Sequence, residues 1–190
     1  GVVRSCGRGV VVECAGAAGG GVGVARERVG VGVGGVAVKA GGARADEVGA
    51  MVEAAAERFG RSAVLGNNAG TTRFIPFSDL EAVTDEVWRH ILGVNLMGPW
   101  YASRAAAPHL KRSHGCIVNI ASIAALRGSG SSLPYGVSKA ALTQLTRALA
   151  VALAPEVRVN AVNPGLVSSR WFRQPFVEEA AAAQEAALAG

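Results

Sequence analysis

Aromatic residues are scarce in this chain: five Phe, three Trp and two Tyr make up 5% of its 190 residues. Its sixteen Arg and three Lys stand singly, so the net charge of +5 and pI ≈ 9.6 form no basic stripe interleaved with rings. That pattern marks nucleic-acid surfaces, and no nucleic-acid partner is expected. Cysteine is equally rare. Cys6, Cys14 and Cys116 are odd in number and lack C-x-x-C spacing, which excludes a disulfide framework and a paired-cysteine zinc site. His90, His109 and His114 form no H-E-x-x-H and have no ligand-type neighbours, so no metal is expected. No apolar run approaches the ~18–20 residues of a membrane span. Arg4 and Arg8 ahead of Val10–Val12 only faintly imitate a signal peptide, because the apolar stretch is short and broken by glycine. A reduced, cytoplasmic protein with no membrane partner is the expectation.

Half of the residues are hydrophobic, which argues against disorder. The 26 glycines cluster locally without a Gly-X-Y period, which excludes collagen. The length suits one domain spanning 1–190. Short β-branched runs at Val10–Cys14, Gly35–Val38, Ala63–Asn67, Cys116–Ala121 and Val157–Val162 read as strands. They are nearly continuous rather than alternating, as in strands covered on both faces. Helical composition fills Ala45–Phe59, Thr84–Leu110, Ser138–Leu153 and Val177–Leu188. This alternation predicts a doubly wound α/β fold with a parallel sheet, whose ligands sit beyond the carboxyl ends of the strands.

Pro99 falls inside the Thr84–Leu110 segment. Proline has no N–H, so the carbonyl of Asn95 loses its helical partner and must find another donor. Tyr135 and Lys139 lie four apart at the start of the Ser138–Leu153 helix and so share a face. Lowering a phenol pKa by three units requires about 4 kcal/mol. An ammonium ~5 Å away supplies about 3 kcal/mol at an effective dielectric of 20. The pair therefore has the electrostatics of a general acid/base. Ser122 directly follows the CIVNIA strand. Asn67-Asn68-Ala69-Gly70 and Asn163-Pro164-Gly165 close the strands before and after it. Polar or glycine-containing turns thus gather at three neighbouring strand ends, beside Asn95.

With these motifs, the stretch from Val48 to Phe172 resembles the classical short-chain dehydrogenase/reductase family. The matching residues are Asn67–Gly70, Asn95 in VNLMGP, Ser122, Tyr135-Gly136-Val137-Ser138-Lys139 and Asn163-Pro164-Gly165. Ser122 stands thirteen residues before Tyr135, the family's usual spacing. The resemblance implies a Rossmann-like sheet and NAD(P)-dependent interconversion of a secondary alcohol and a ketone, similar to 3-oxoacyl carrier-protein reductases and sugar or polyol dehydrogenases. It implies that Tyr135 exchanges a proton with the substrate oxygen and that Ser122 hydrogen-bonds that oxygen. Lys139 would lower the Tyr135 pKa and bind the nicotinamide ribose, and the Asn95 carbonyl would hold a water. Asn67, Ala69, Gly70, Pro164, Gly165 and Ser169 would line the cofactor, and residues 166–190 would cover the substrate. A homodimer is implied as well, through Trp88, Trp100, Leu142, Leu145 and Leu149.

The amino-terminal third departs from the family. Gly21-Val22-Gly23 matches the end of its Thr-Gly-x-x-x-Gly-Ile-Gly turn, whose helix amino-terminus faces a pyrophosphate. Gly16 stands one place early, and Ala17 occupies the first glycine's position. Only six residues separate Val38 from Ala45, where one βαβ crossover of ~30 residues is expected. The expected fold is therefore incomplete there and at the carboxyl end, and the adenosine side of the cofactor loses a wall. Lys39 tilts the expectation slightly toward NADP. Two rival readings keep the same fold: a non-catalytic nucleotide-binding protein, and an impaired fragment of an enzyme.

Overall fold

The computed structural model describes residues 11–13, 43–59 and 64–165. Within them lie β1 (Val11–Glu13), α1 (Ala45–Phe59), β2 (Val64–Asn67), α2 (Asp85–Leu92), α3 (Gly98–Ser113), β3 (Cys116–Ile120), α4 (Leu133–Ala152) and β4 (Arg158–Val162). The four strands form one parallel sheet in the order β1-β2-β3-β4. Flanking helices make the architecture Rossmann-like, as expected. The sequence-predicted strand Gly35–Val38 and helix Val177–Leu188 lie outside the described residues.

Local chemistry explains the helix boundaries. Asp46 and Glu47 open α1, where negative charge complements the helix dipole. Thr84 caps α2, its side chain accepting the Val87 N–H at 3.4 Å. The segment predicted as one helix over Thr84–Leu110 is three pieces. Between α2 and α3, Gly93–Met97 forms a wide π-turn, and the Gly98 N–H reaches back five residues to the Gly93 carbonyl. Pro99 stands in the first turn of α3, where its missing N–H is tolerated. The wide turn absorbs the bond that proline cannot make. α3 ends at His114, whose φ of 48° is left-handed, with its N–H returned to the carbonyls of Leu110 and Lys111.

α4 begins at Leu133 rather than at the predicted Ser138, with Pro134 in its first turn. Proline favours that position because its fixed φ suits a helix start. Tyr135 consequently lies inside the helix, a full turn ahead of Lys139.

One apolar core joins Val48, Met51 and Val52 of α1, Leu65 of β2, Ala102, Ala106 and Leu110 of α3, and Ile117 of β3. Leu149, Leu153, Val157 and Val159 extend it toward β4. Leu142 and Leu149, expected to face a second copy, are instead buried within the chain. Their faces of α4 turn inward to cover the sheet. On the surface, the His109 ring links two helices. Its Nδ1 accepts from Arg112 at 2.9 Å, so Nε2 carries the proton and donates to Glu53 of α1 at 3.1 Å. No helix among the described residues is long and apolar enough to cross a membrane.

Ile117 is fully buried at the centre of this core. Ile117→Ala is expected to lower unfolding stability by about 2–5 kcal/mol, read as a lower urea midpoint at an unchanged slope.

Candidate active site

The strand ends are stitched together by backbone hydrogen bonds. Past β3, the Ala121 N–H donates to the Val162 carbonyl at 2.8 Å, and the Ile123 N–H donates to the Pro164 carbonyl at 3.0 Å. Between them stands Ser122, the cap of a short 3-10 turn, with Oγ accepting the Ala124 N–H at 3.1 Å. Ser122 is thereby fixed at the carboxyl end of β3, beside the turn containing Pro164 and Gly165.

Tyr135 projects from the first turn of α4 toward Ser122. Burial pushes its phenol above the ordinary value of 10, while hydrogen bonding with the Ser122 side chain pulls it back down. Lys139 is 4% exposed, and its Nζ donates to the Ile120 carbonyl at 2.8 Å. The same Nζ lies 5.8 Å from the centroid of the Tyr135 ring. Burial lowers the Lys139 pKa from 10.5 to about 8. The net direction for the phenol is upward, because desolvation outweighs the Ser122 hydrogen bond. The ammonium is tethered to a main-chain oxygen, and desolvation of the phenol dominates.

Asn95 is fully buried in the π-turn. Its carbonyl was expected to act, but its side chain is what binds the site together. Oδ1 accepts the Thr71 N–H at 2.8 Å, while Nδ2 donates to the Thr71 carbonyl at 3.0 Å and to Ser138 Oγ at 2.9 Å. Ser138 in turn donates to the Tyr135 carbonyl at 2.7 Å. Asn95, Tyr135 and Lys139 are thus tied, directly or through Ser138, to the first turns of α4, and Ser122 and Lys139 meet the carboxyl end of β3.

Asn67, an expected cofactor residue, is 2% exposed and directs its amide inward. Its Nδ2 donates to Asn119 Oδ1 at 2.7 Å and to Ser103 Oγ at 3.3 Å. Asn119 Nδ2 continues to Thr146 Oγ1 at 2.8 Å, crossing from β3 to α4. The side chain of Asn67 therefore holds elements together, while Ala69 and Gly70 are buried in the turn that follows it. The expected cofactor residues Gly16, Gly21, Val22, Gly23 and Ser169 lie outside the described residues, as do Lys39 and 166–190.

Thr71, Ser103, Ser138 and Thr146 were not foreseen as parts of these networks. Ser138 carried a local signal, a hydroxyl one turn after Tyr135 and able to bond back to its carbonyl. Asn119 carried another, an amide inside the apolar run CIVNI.

Comparison with known proteins places the chain in a family. The family model described as Enoyl-(Acyl carrier protein) reductase matches residues 7–188. The chain belongs to the short-chain dehydrogenase/reductase family. It is 53% identical over 122 residues to "Granaticin polyketide synthase putative ketoacyl reductase 2" of Streptomyces violaceoruber, covering 64% of this chain and 49% of that protein. It is 42% identical over 120 residues to meso-2,3-butanediol dehydrogenase of Serratia marcescens, covering 63% and 47% respectively. The ligand-free structure of aldohexose dehydrogenase from Thermoplasma acidophilum superposes with a TM-score of 0.67 at 31% identity, covering 74% of this chain and 58% of that one. The chain spans about half the length of the two sequence relatives.

The lowered Lys139 pKa has a measurable consequence. Below about pH 8 both folded and unfolded chains hold the proton, and folding carries the full cost of burying the ammonium. Between about 8 and 10.5 the folded chain releases it first, so stability rises with pH, and above 10.5 that cost is gone. Relative to Lys139→Met, the wild-type chain should gain ~3 kcal/mol across this window, measured as urea midpoints of both proteins at stepped pH. A constant difference would contradict the shift.

Proposed function

We propose that this chain forms the catalytic part of an NAD(P)-dependent oxidoreductase that interconverts a secondary alcohol and a ketone. The observation that carries the proposal is the convergence of Ser122, Tyr135 and Lys139 at the carboxyl end of β3. Two features suit a nicotinamide nucleotide. The Lys139 ammonium has three N–H groups and uses one on Ile120, leaving donors for a ribose hydroxyl. Asn163 Oδ1, in the turn with Pro164 and Gly165, is a buried acceptor without a partner among the described residues, which suits a ligand bearing an amide N–H.

When bound, the nicotinamide supplies or accepts the hydride. In the direction of reduction, the Tyr135 hydroxyl gives its proton to the substrate oxygen as the carbonyl becomes an alcohol. In oxidation the phenolate takes that proton back. Ser122 donates a hydrogen bond to the same oxygen and holds it within reach of the phenol. Lys139 stabilises the phenolate that forms after proton donation, since an ammonium beside a ring favours developing negative charge.

The test is nicotinamide turnover on a panel of simple ketones, including 2,3-butanedione and an acetoacetyl thioester, with NADPH and NADH. Tyr135→Phe removes only the proton carrier and should reduce kcat at least ~100-fold, the ordinary size of acid–base catalysis, without altering the circular dichroism spectrum. Retained activity would refute the role of Tyr135. Binding of either cofactor without turnover on the panel would favour the non-catalytic rival.

We also propose that the chain associates as a homodimer. Trp88 on α2, Trp100 on α3 and Leu145 on α4 remain only half-buried. A two-fold contact between these helices would cover them. Light scattering at micromolar concentration should report a dimer, and a monodisperse monomer would contradict it.

A further inference from the structure

The Ser138 hydroxyl has no part in the proton chemistry described above, yet it is fully buried and saturated from two directions. It donates to the Tyr135 carbonyl at 2.7 Å and accepts from Asn95 Nδ2 at 2.9 Å. A helical serine bonding back to its own preceding turn is common and local. The second bond is neither. It comes from the π-turn, from an amide whose remaining hydrogen bonds grip both polar atoms of the Thr71 backbone. One hydroxyl therefore connects the loop after β2 and the α2–α3 junction to the main chain that carries the phenol.

Gly130 leaves little room beside the Tyr135 ring. A Cβ added at Gly130 would stand 3.5 Å from the Tyr135 ring and 3.2 Å from Ala124, the residue whose N–H Ser122 caps. Tyr135 stands on the first turn of α4 and hydrogen-bonds the Ser122 side chain, so a shift of that turn changes the spacing between the phenol and Ser122.

We propose that Ser138 is a positioning residue: through the Asn95–Ser138–Tyr135 chain it fixes the Tyr135 backbone against the π-turn and holds the phenol beside Ser122. Its consequence for catalysis rests on the reading of Tyr135 as the proton carrier. Its consequence for the phenol does not. Loss of the Ser138 hydroxyl also leaves one Asn95 N–H without its acceptor in a fully buried site, so the amide has a reason to move as well.

The two tyrosines, Tyr101 and Tyr135, make the experiment direct. With ring-labelled tyrosine the full-length protein should give two carbon resonances, and Tyr135→Phe identifies the one that disappears. In Ser138→Ala the Tyr135 resonance should broaden or split, and its titration should move to higher pH as the contact with Ser122 loosens. Ser138→Thr, which keeps the hydroxyl, should restore both properties. On the ketone panel Ser138→Ala should lower kcat about tenfold with little change in KM, since misalignment affects the reacting geometry more than binding. Should Ser138→Ala fail to fold by circular dichroism, Ser138→Cys keeps the volume with a weaker donor and is judged by the same resonance. An unchanged Tyr135 resonance and titration in a folded variant would overturn the proposal, as would a Thr variant that behaves like Ala. Full activity in Tyr135→Phe would instead refute the reading of function, while the resonance would still decide the role of Ser138.

Discussion

A proline cannot donate a backbone hydrogen bond, and at Pro99 that deficit falls where the sequence otherwise continues a helix. The backbone answers with the wide turn at Gly93–Met97 and restarts as α3. The adjustment does more than bend a helix. A π-turn shifts the residues on its inner side around the axis, and Asn95 is brought fully inside. Once there, an amide must satisfy both its carbonyl and its two N–H groups, since a buried polar atom left alone costs about 1–3 kcal/mol. Asn95 does so with Thr71 on one side and Ser138 on the other. The position of the first turn of α4 therefore depends on a missing N–H about thirty-five residues earlier in the chain.

A second buried amide chain runs across the sheet. Asn67, Asn119 and Thr146 join β2, β3 and α4, while Ser103 ties in α3. Apolar packing would hold these layers together but would tolerate sliding, because hydrophobic contact is non-directional. Hydrogen bonds between side chains in a dry interior do not tolerate it. The chain thus uses Leu65, Ile117 and Leu110 for cohesion and the two asparagine networks for register. Placing those networks at the carboxyl ends of the strands gives definite geometry to the region where Ser122 and Tyr135 meet.

Periodicity and turn chemistry made much of this fold legible. The bounds of α1 follow from its helical composition, and those of the strands β2, β3 and β4, to within one residue, from β-branched runs closed by Asn-Ala-Gly, Ser and Asn-Pro-Gly. The start of α4 did not, because Pro134 reads as a break until its place in a first turn is known. Tyr135, Lys139 and Ser122 could be picked out by spacing, since their relation is built into one helix and one strand end. The inward turn of Asn67 and the burial of Leu142 could not, because each depends on which neighbour arrives from a distant part of the chain. The same holds for the phenol. An ammonium four residues away is visible in a sequence, whereas the desolvation that raises the phenol belongs to the packed state.

Burial acts on Tyr135 and Lys139 in opposite directions, and the combination bears on which way the proposed reaction runs. A phenol pushed above 10 is protonated at neutral pH and ready to donate. An amine lowered to about 8 still carries its charge there, but by a smaller margin than an exposed lysine. The resting pair is therefore an acid supported by a cation, the arrangement that ketone reduction requires. Alcohol oxidation needs the phenolate, which this environment disfavours until a ligand changes it. The Ser122 hydroxyl already opposes the effect of burial. On this reading a protonated Tyr135 suits proton donation to a ketone, and oxidation gains as the pH rises toward the phenol's own titration.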